Sequence, residues 1–514
     1  MTVALLTLMG VAIAGDATPA GDAAPAGDAQ PADAPAPAGE APPAGDDDAA
    51  RDALFFGAAP PPSPGPSAEP SSLGADAALE EGTRSDAAID SLLDERDASL
   101  TIGGRMYLRG NVSVPDVEEV TPEQAVIDSP NFLDLFVDAR PNDRVRAYAG
   151  ARLYHDPAVR TGDTTAFGTD AVQSRVVLDQ LYLKFDVARR VYVTAGRQRV
   201  KWGTGRFWNP TDVLNPARLD ALAFFDERTG VNLVKLHFPV ESAGLNLYAV
   251  ADLEGVNRLW EARTEVETEL DLTGTSTDPR VDGPGGALRA EWAVGPGEIS
   301  ATVAGGPDRP LKLGADASFG VWVLDLRLEG AVSHGGDARR WEGELDWESF
   351  TFPTATDVSD EWIPQVGGGV EIAIRLNDED SMSVGAEYFY NGAGYADASL
   401  YPWLALSGDF VGFYVGQHYA AGYAFVAGPG QWDEATFTAS YLANLSDQTS
   451  VARLDVSNTF LTWLAINAFA QVPLGEDGEF HFGLEVPAIP GVFEEGLTVT
   501  PTAASFGLGA SVRF

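Results

Sequence analysis

Stretches of about ten residues that alternate strictly between apolar and small or polar side chains recur from Ser99 to the last residue, and they constrain the fold more than any other feature. The final stretch is the clearest. Phe506, Leu508, Ala510, Val512 and Phe514 fall on one face; Ser505, Gly507, Gly509, Ser511 and Arg513 fall on the other. Successive side chains of a strand point to opposite faces, so this is a strand with one apolar face and one small or polar face. Leu100, Ile102, Gly104, Met106 and Leu108 alternate in the same way with Thr101, Gly103, Arg105, Tyr107 and Arg109. Val145, Ala147, Ala149, Ala151 and Leu153 alternate with Arg144, Arg146, Tyr148, Gly150 and Arg152. Stretches starting near Leu245, Gln365 and Met382 repeat the pattern. Soluble sandwiches use shorter strands with Greek-key links. Many long strands with one apolar face are the pattern of a sheet that meets lipid on one side and an aqueous lumen on the other.

No helix competes for the membrane. The longest late apolar run, Phe460 to Ala470, is interrupted by Thr462 and Asn467, and a spanning helix needs about 20 residues. Backbone polar groups in hydrocarbon must pair internally, which leaves a closed sheet. The connections agree. Pro239 to Ala243 and Asn377 to Asp380 are tight, whereas 254–286, 334–362 and 391–416 are long and rich in Gly, Asp and Pro. Residues 99–514 therefore predict an all-β fold, a transmembrane antiparallel up-and-down β-barrel of roughly 16–18 strands. Tyr107, Tyr154, Trp202, Trp322, Trp362, Tyr388, Tyr390, Tyr441 and Trp463 are expected near the two interfaces, some of them turned inward.

The N-terminal part reads differently. Val3 to Ala14 has the length of a signal-peptide core, and Ala12-Ile13-Ala14 has the small-x-small pattern, so residues 1–14 read as a signal peptide. No Lys or Arg precedes it, which leaves open a start upstream of Met1. Residues 15–74 repeat Pro-Ala-Gly-Asp and lack the apolar mass for a core; a disordered periplasmic tail is expected. Residues 75–98 read as a short acidic helical or linker segment.

The formal net charge is −43 and the chain has no Cys. Such acidity argues against a nucleic-acid partner, and the missing Cys excludes a disulfide framework and thiol chemistry. Cations are nonetheless concentrated: 15 of the 33 Lys and Arg lie in residues 99–206, whereas residues 341–514 hold only Arg375, Arg453 and Arg513. Arg105, Arg109, Arg144, Arg146 and Arg152 share the face opposite the apolar one, so a basic wall on one side of the lumen is expected, with acidic strands and loops elsewhere. The alternative is that these arginines pair with neighbouring acids and stiffen the wall.

Two segments carry a resemblance. The last strand resembles the C-terminal signal strand of Gram-negative outer-membrane proteins, which implies recognition by the barrel-assembly machinery. The block from Gly196 to Pro216, with Gly-Arg-Gln, Trp-Gly and two Asn-Pro corners, resembles one found in porin-like outer-membrane barrels; alginate-export-type barrels carry a looser version. The resemblance marks Arg197, Gln198, Trp202, Gly203, Asn209, Pro210 and Asp212 as positions of interest. From the residues themselves, Arg197, Arg199 and Lys201 share one face and are expected to line a constriction, with the next segment folding inward. Val191, Val193 and Ala195 lie on that same face, so a bulge or register shift near Gly196 is required. Otherwise the cations would face lipid, at about 2–4 kcal/mol each. The competing reading is a surface turn with Arg–acid pairing.

Enzyme and metal signatures are missing from the sequence. His155, His237, His334, His418 and His481 lack ligand spacing, and no nucleophile elbow or phosphate loop occurs. The acidic stretches Asp278 to Asp282 and Asp357 to Glu361 lack the spaced ligands of a calcium loop. No cofactor is expected. The reading is a non-enzymatic porin-like channel in the cell outer membrane, in contact with outer-membrane lipid, passing small polar or charged solutes; an oligomer is left open. The alternatives are an export channel for an acidic polysaccharide, or a structural or adhesive barrel with a blocked lumen.

Overall fold

The computed structural model describes residues 99–115, 125–160, 172–215, 222, 228–253, 284–307, 309–336, 339–377, 380–461, 463–488 and 496–514. The expected signal peptide (1–14), tail (15–74) and acidic segment (75–98) lie outside the described residues, as do Pro216 and Asp278 to Asp282.

Eighteen strands close into one antiparallel barrel. They are β1 (Leu100–Val114), β3 (Asn131–Asn142), β4 (Val145–His155), β5 (Ser174–Val187), β6 (Val191–Gln198) and β7 (Val231–Val240). Next come β8 (Leu245–Asp252), β9 (Gly285–Val294), β10 (Gly297–Gly306), β11 (Arg309–Val321), β12 (Leu324–His334) and β15 (Trp362–Arg375). The last six are β16 (Ser381–Asn391), β17 (His418–Ala427), β18 (Ala435–Asn444), β19 (Thr449–Leu461), β20 (Leu464–Leu474) and β23 (Ala504–Arg513). Five short strands lie outside the ring: β2 (Val126–Asp128) beside β1, the pair β13 (Arg340–Glu342) and β14 (Thr354–Thr356), and the pair β21 (Leu484–Val486) and β22 (Leu497–Val499). The count agrees with the upper end of the sequence expectation.

The barrel is inside-out relative to a soluble protein. On β1, Ile102 is 68% exposed whereas Tyr107 is 3% exposed. Arg105, Asp138, Arg152, Asp316, Glu329 and Glu387 are all buried. Closure comes from β1 against β23, in register from Arg105↔Arg513 to Val114↔Ala504. Phe514 extends this seam by one residue: its N–H donates to the Gly104 carbonyl at 3.0 Å and its carbonyl accepts the Gly104 N–H at 2.8 Å. Phe506, Leu508 and Phe514 are exposed, with Ala510 and Val512 partly so. The small residues opposite them have a packing reason. A Cβ on Gly507 would lie 2.0 Å from the Phe469 ring, and one on Gly509 2.6 Å from the Tyr107 hydroxyl.

Exposed aromatics mark both rims. Trp292, Trp322, Trp432, Phe460, Trp463 and Phe514 lie at the end with the tight turns; Trp362, Tyr388, Tyr441 and Phe506 lie at the end with the long loops. Tyr107 and Trp202 are instead buried. At the long-loop end, helix α1 (Tyr401–Ser407) and the two short hairpins join a cap. Leu484, Val486, Leu497 and Val499 pack with Trp347, Leu406 and Phe482; Tyr401, Leu404, Phe410 and Val415 pack with Trp341 and Phe482.

Candidate functional site

The chain leaves the wall at the end of β6 and crosses the lumen. Pairing of β6 with β5 and β7 keeps one register through Arg197, so β6 itself carries no register shift; two irregularities lie in or beside it. Gly196 adopts φ 121°, and a Cβ there would lie 2.2 Å from the Leu181 carbonyl oxygen. In the partner strand β5, pairing with β4 slips so that Gly150 faces Gln180 and Ala151 faces Leu178, leaving Asp179 over. Gln198 seals the departure point, donating from its amide to the carbonyls of Thr194 (3.1 Å) and Leu233 (3.3 Å). Arg199 pairs with the bulged Asp179 at 2.8 Å. Arg197 is buried and Lys201 half-buried.

Residues 200–215 fold inward. Val200, Trp202 and Leu214 pack on Leu233, Val250, Ala287 and Ala304, luminal residues of β7 to β10. Gly203 turns the chain at φ 97°, where a Cβ would meet Glu329 at 2.6 Å and Asn209 at 2.8 Å. Five consecutive backbone N–H groups then point at two wall carboxylates. Those of Thr204 and Gly205 donate to Glu329 on β12. Those of Arg206 (2.8 Å), Phe207 (3.3 Å) and Trp208 (2.9 Å) donate to Glu387 on β16. The Thr211 hydroxyl adds a bond to Glu329 at 2.9 Å. Phe207 and Trp208 are buried among Phe389, Phe413, Tyr419, Tyr423 and Leu442, and the Trp208 indole N–H donates to the Phe413 carbonyl at 2.9 Å. Hydrogen bonds to charged groups contribute about 1.5–3 kcal/mol each, so the crossing is held firmly.

The other block residues complete it. The Arg206 guanidinium lies 3.9 Å from the Tyr423 ring centre and 3.8 Å from Glu371, which also takes Arg327 at 2.9 Å. Asp212 accepts from Arg228 (2.6 Å), Asn215 (2.8 Å) and the Trp202 N–H (3.4 Å). Asn209 is buried beside Gly203, and Pro210 lies over Gly367 of β15. The structure thus gathers every resemblance-derived position in or at the start of one crossing.

The early wall is a ladder of alternating charge. At one level Arg105, Asp134 and Arg152 are cross-strand neighbours on β1, β3 and β4, and Asp179–Arg199 continues the row. Arg152 is bound bidentately by Asp134, lies 4.3 Å from the Phe132 ring centre and is only 1% exposed. It is packed into the wall. A level nearer the tight turns, Asp138 holds Arg146 and Arg140, both at 2.8 Å. Phe136, Tyr148 and Tyr182 stack there, with Arg146 over the two tyrosines. At the turn, Arg144 pairs with Asp186 at 2.8 Å and is the most exposed of the set; Arg109 is half-buried on the upper part of β1. The barrel strands β1 and β3 to β6 together carry Arg105, Arg109, Arg140, Arg146, Arg152, Arg175, Lys184 and Arg197 against Asp134, Asp138, Asp179 and Asp186. The barrel strands β15 to β20 and β23 balance Arg375, Arg453 and Arg513 against Glu371, Glu387 and Asp455. The later barrel strands are therefore near neutral, not acidic as expected; the excess acid lies in connections and the N-terminal segment.

Sequence reading missed Glu329 and Glu387. Glu329 shares the polar face of β12 with Asp325 and Arg327, Glu387 is the one acid on β16, and each lies more than a hundred residues from the groups it binds.

Another buried acid sits in the cap. Glu479 accepts from the Tyr419 hydroxyl (2.7 Å), the Asn444 amide (2.9 Å) and the Phe413 N–H. Burial, reinforced by nearby Asp447, pushes its carboxyl up to about 8. The cap therefore keeps a proton that the opened loops lose above about 4.5, and its stability falls as pH rises through that window. Cap opening, read by hydrogen exchange over 401–415 and 475–486, is expected to increase by up to about tenfold per pH unit up to pH 8. Glu479→Gln should flatten the profile; a flat wild-type profile would contradict the assignment.

A closed eighteen-stranded antiparallel barrel, apolar outside, aromatic at both rims and crossed by an inward segment, has the architecture of a transmembrane β-barrel. No family model and no curated protein sequence matches the chain. Among solved structures it is similar to OccAB3 of Acinetobacter baumannii, at 11% identity and TM-score 0.46, covering 80% of this chain and 99% of that one. Pseudomonas aeruginosa OpdK, solved with vanillate, is 10% identical with TM-score 0.46, covering 80% and 98%. Pseudomonas putida OprB is 11% identical with TM-score 0.44, covering 83% and 96%.

Proposed function

We propose that the chain is an outer-membrane channel for passive diffusion of small polar solutes, and that anionic groups are drawn along the wall formed by β1 to β6. The carrying observation is the asymmetry of the lumen. The crossing is bound to β7–β10 and to the β12–β19 side, opposite a wall where cations outnumber acids two to one. Fixed charge lining a narrow passage raises the local concentration of oppositely charged solute. Among the luminal cations of this wall, Arg146 and Arg199 have partly open side chains, at 11% and 20% exposure. Arg105 and Arg152 act as wall stiffeners in this reading. Residues 1–98 serve as an exported leader and periplasmic tail, and assembly machinery reads the last strand.

Dense packing around Phe207 and Trp208 favours one other reading, a structural barrel whose lumen is closed. Conductance in planar bilayers separates the two. Stepwise currents are expected, and joint Arg146→Gln and Arg199→Gln replacement should lower the anion-to-cation permeability ratio about twofold or more. Absence of any conductance from correctly folded protein would overturn the channel reading.

A further inference from the structure

We infer that Glu329 and Glu387 are positioning residues: they fill an anion-binding nest formed by the N–H groups of residues 204–208, and so hold the crossing that sets the bore. The inference rests on the channel reading only for the word bore. Consecutive N–H groups that converge on one side make a concavity for an anion. Wall pairing of this segment ends at Gln198, so these N–H groups lie beyond the strand ladder. The acceptors come instead from two strands separated by β15, one carboxylate taking two N–H groups and the other three. The turn leaves no room for an alternative path. A Cβ at Gly205 would lie 1.9 Å from the Trp208 carbonyl oxygen, and one at Gly203 would strike the Glu329 carboxylate. Arg206 and Arg327 stand near Glu371 and offset the acid gathered in this part of the lumen. A buried N–H deprived of its acceptor is costly, so the nest should accept a free carboxylate where the protein's own is removed.

The test uses full-length folded protein, with barrel folding checked by heat-modifiable migration. Trypsin sites at Arg199, Lys201 and Arg206 lie in the crossing. Glu387→Ala should be cut there about tenfold to a hundredfold faster than wild type, in line with loss of charge-assisted bonds. Formate or acetate should restore protection, and chloride should not. Glu387→Gln keeps the shape and fills the space, so it should be cut faster than wild type with no formate effect. In bilayers, Glu387→Ala should show larger, noisier steps that formate returns toward wild type. A folded Glu387→Ala protein as resistant as wild type would overturn the inference. Faster cleavage without carboxylate rescue would also overturn it, since plain packing loss predicts that. Cleavage and rescue as expected in a protein that never conducts would sustain the nest and remove the channel.

Discussion

Replacing residues 203–211 by a short Gly-Ser bridge is expected to raise single-channel conductance several-fold. An eighteen-stranded ring leaves an aqueous lumen unless something fills it, and the filling element is the crossing. Its removal does not touch the wall, whose strands stay joined by main-chain ladders on both sides. It does uncover Phe389, Tyr419, Tyr423 and Leu442, and it strips Glu329 and Glu387 of five N–H partners. Those carboxylates would then face luminal water, so the wider pore should also turn toward cations. Unchanged conductance in a folded variant would mean that the narrowest point lies elsewhere, with the cap as the next element to test.

Deleting Phe514 is expected to lower the amount of folded protein in the outer membrane several-fold. The residue adds two main-chain hydrogen bonds to the β1–β23 seam and lays its ring over Gly104. That is a loss of about 2 kcal/mol or more at the junction where the first and last barrel strands must meet, and changes of this size alter cellular abundance several-fold. Refolding the purified variant in detergent separates closure from recognition by assembly machinery. Normal refolding with low cellular levels would point to recognition, slow refolding would point to the seam, and wild-type levels in cells would contradict both.

Much of the barrel was legible because lipid enforces a local rule. Every wall residue must choose between hydrocarbon and lumen, and the choice repeats with period two. That rule gave the orientation of Arg105, Arg146 and Arg152 and the need for an irregularity before Arg197. It also explains what was less legible. Alternation put Tyr107 on the inward face, where it fills the space above Gly509 of the adjacent strand, whereas Trp202 belongs to the crossing, whose place depends on what lies across the lumen and is not encoded by alternation.

The sequence by itself determined that this chain spans a membrane with strands, where its cations concentrate, and that something unusual follows β6. Only the tertiary structure decided which charges face which. Asp134 neutralises Arg152 because β3 and β4 pair in one register, and Asp179 meets Arg199 because β5 carries one extra residue. Glu329 and Glu387 became anchors because ring closure brings β12 and β16 to face the end of β6. Side-chain alternation is a property of neighbours along the chain, whereas the lumen is made by neighbours around a closed ring.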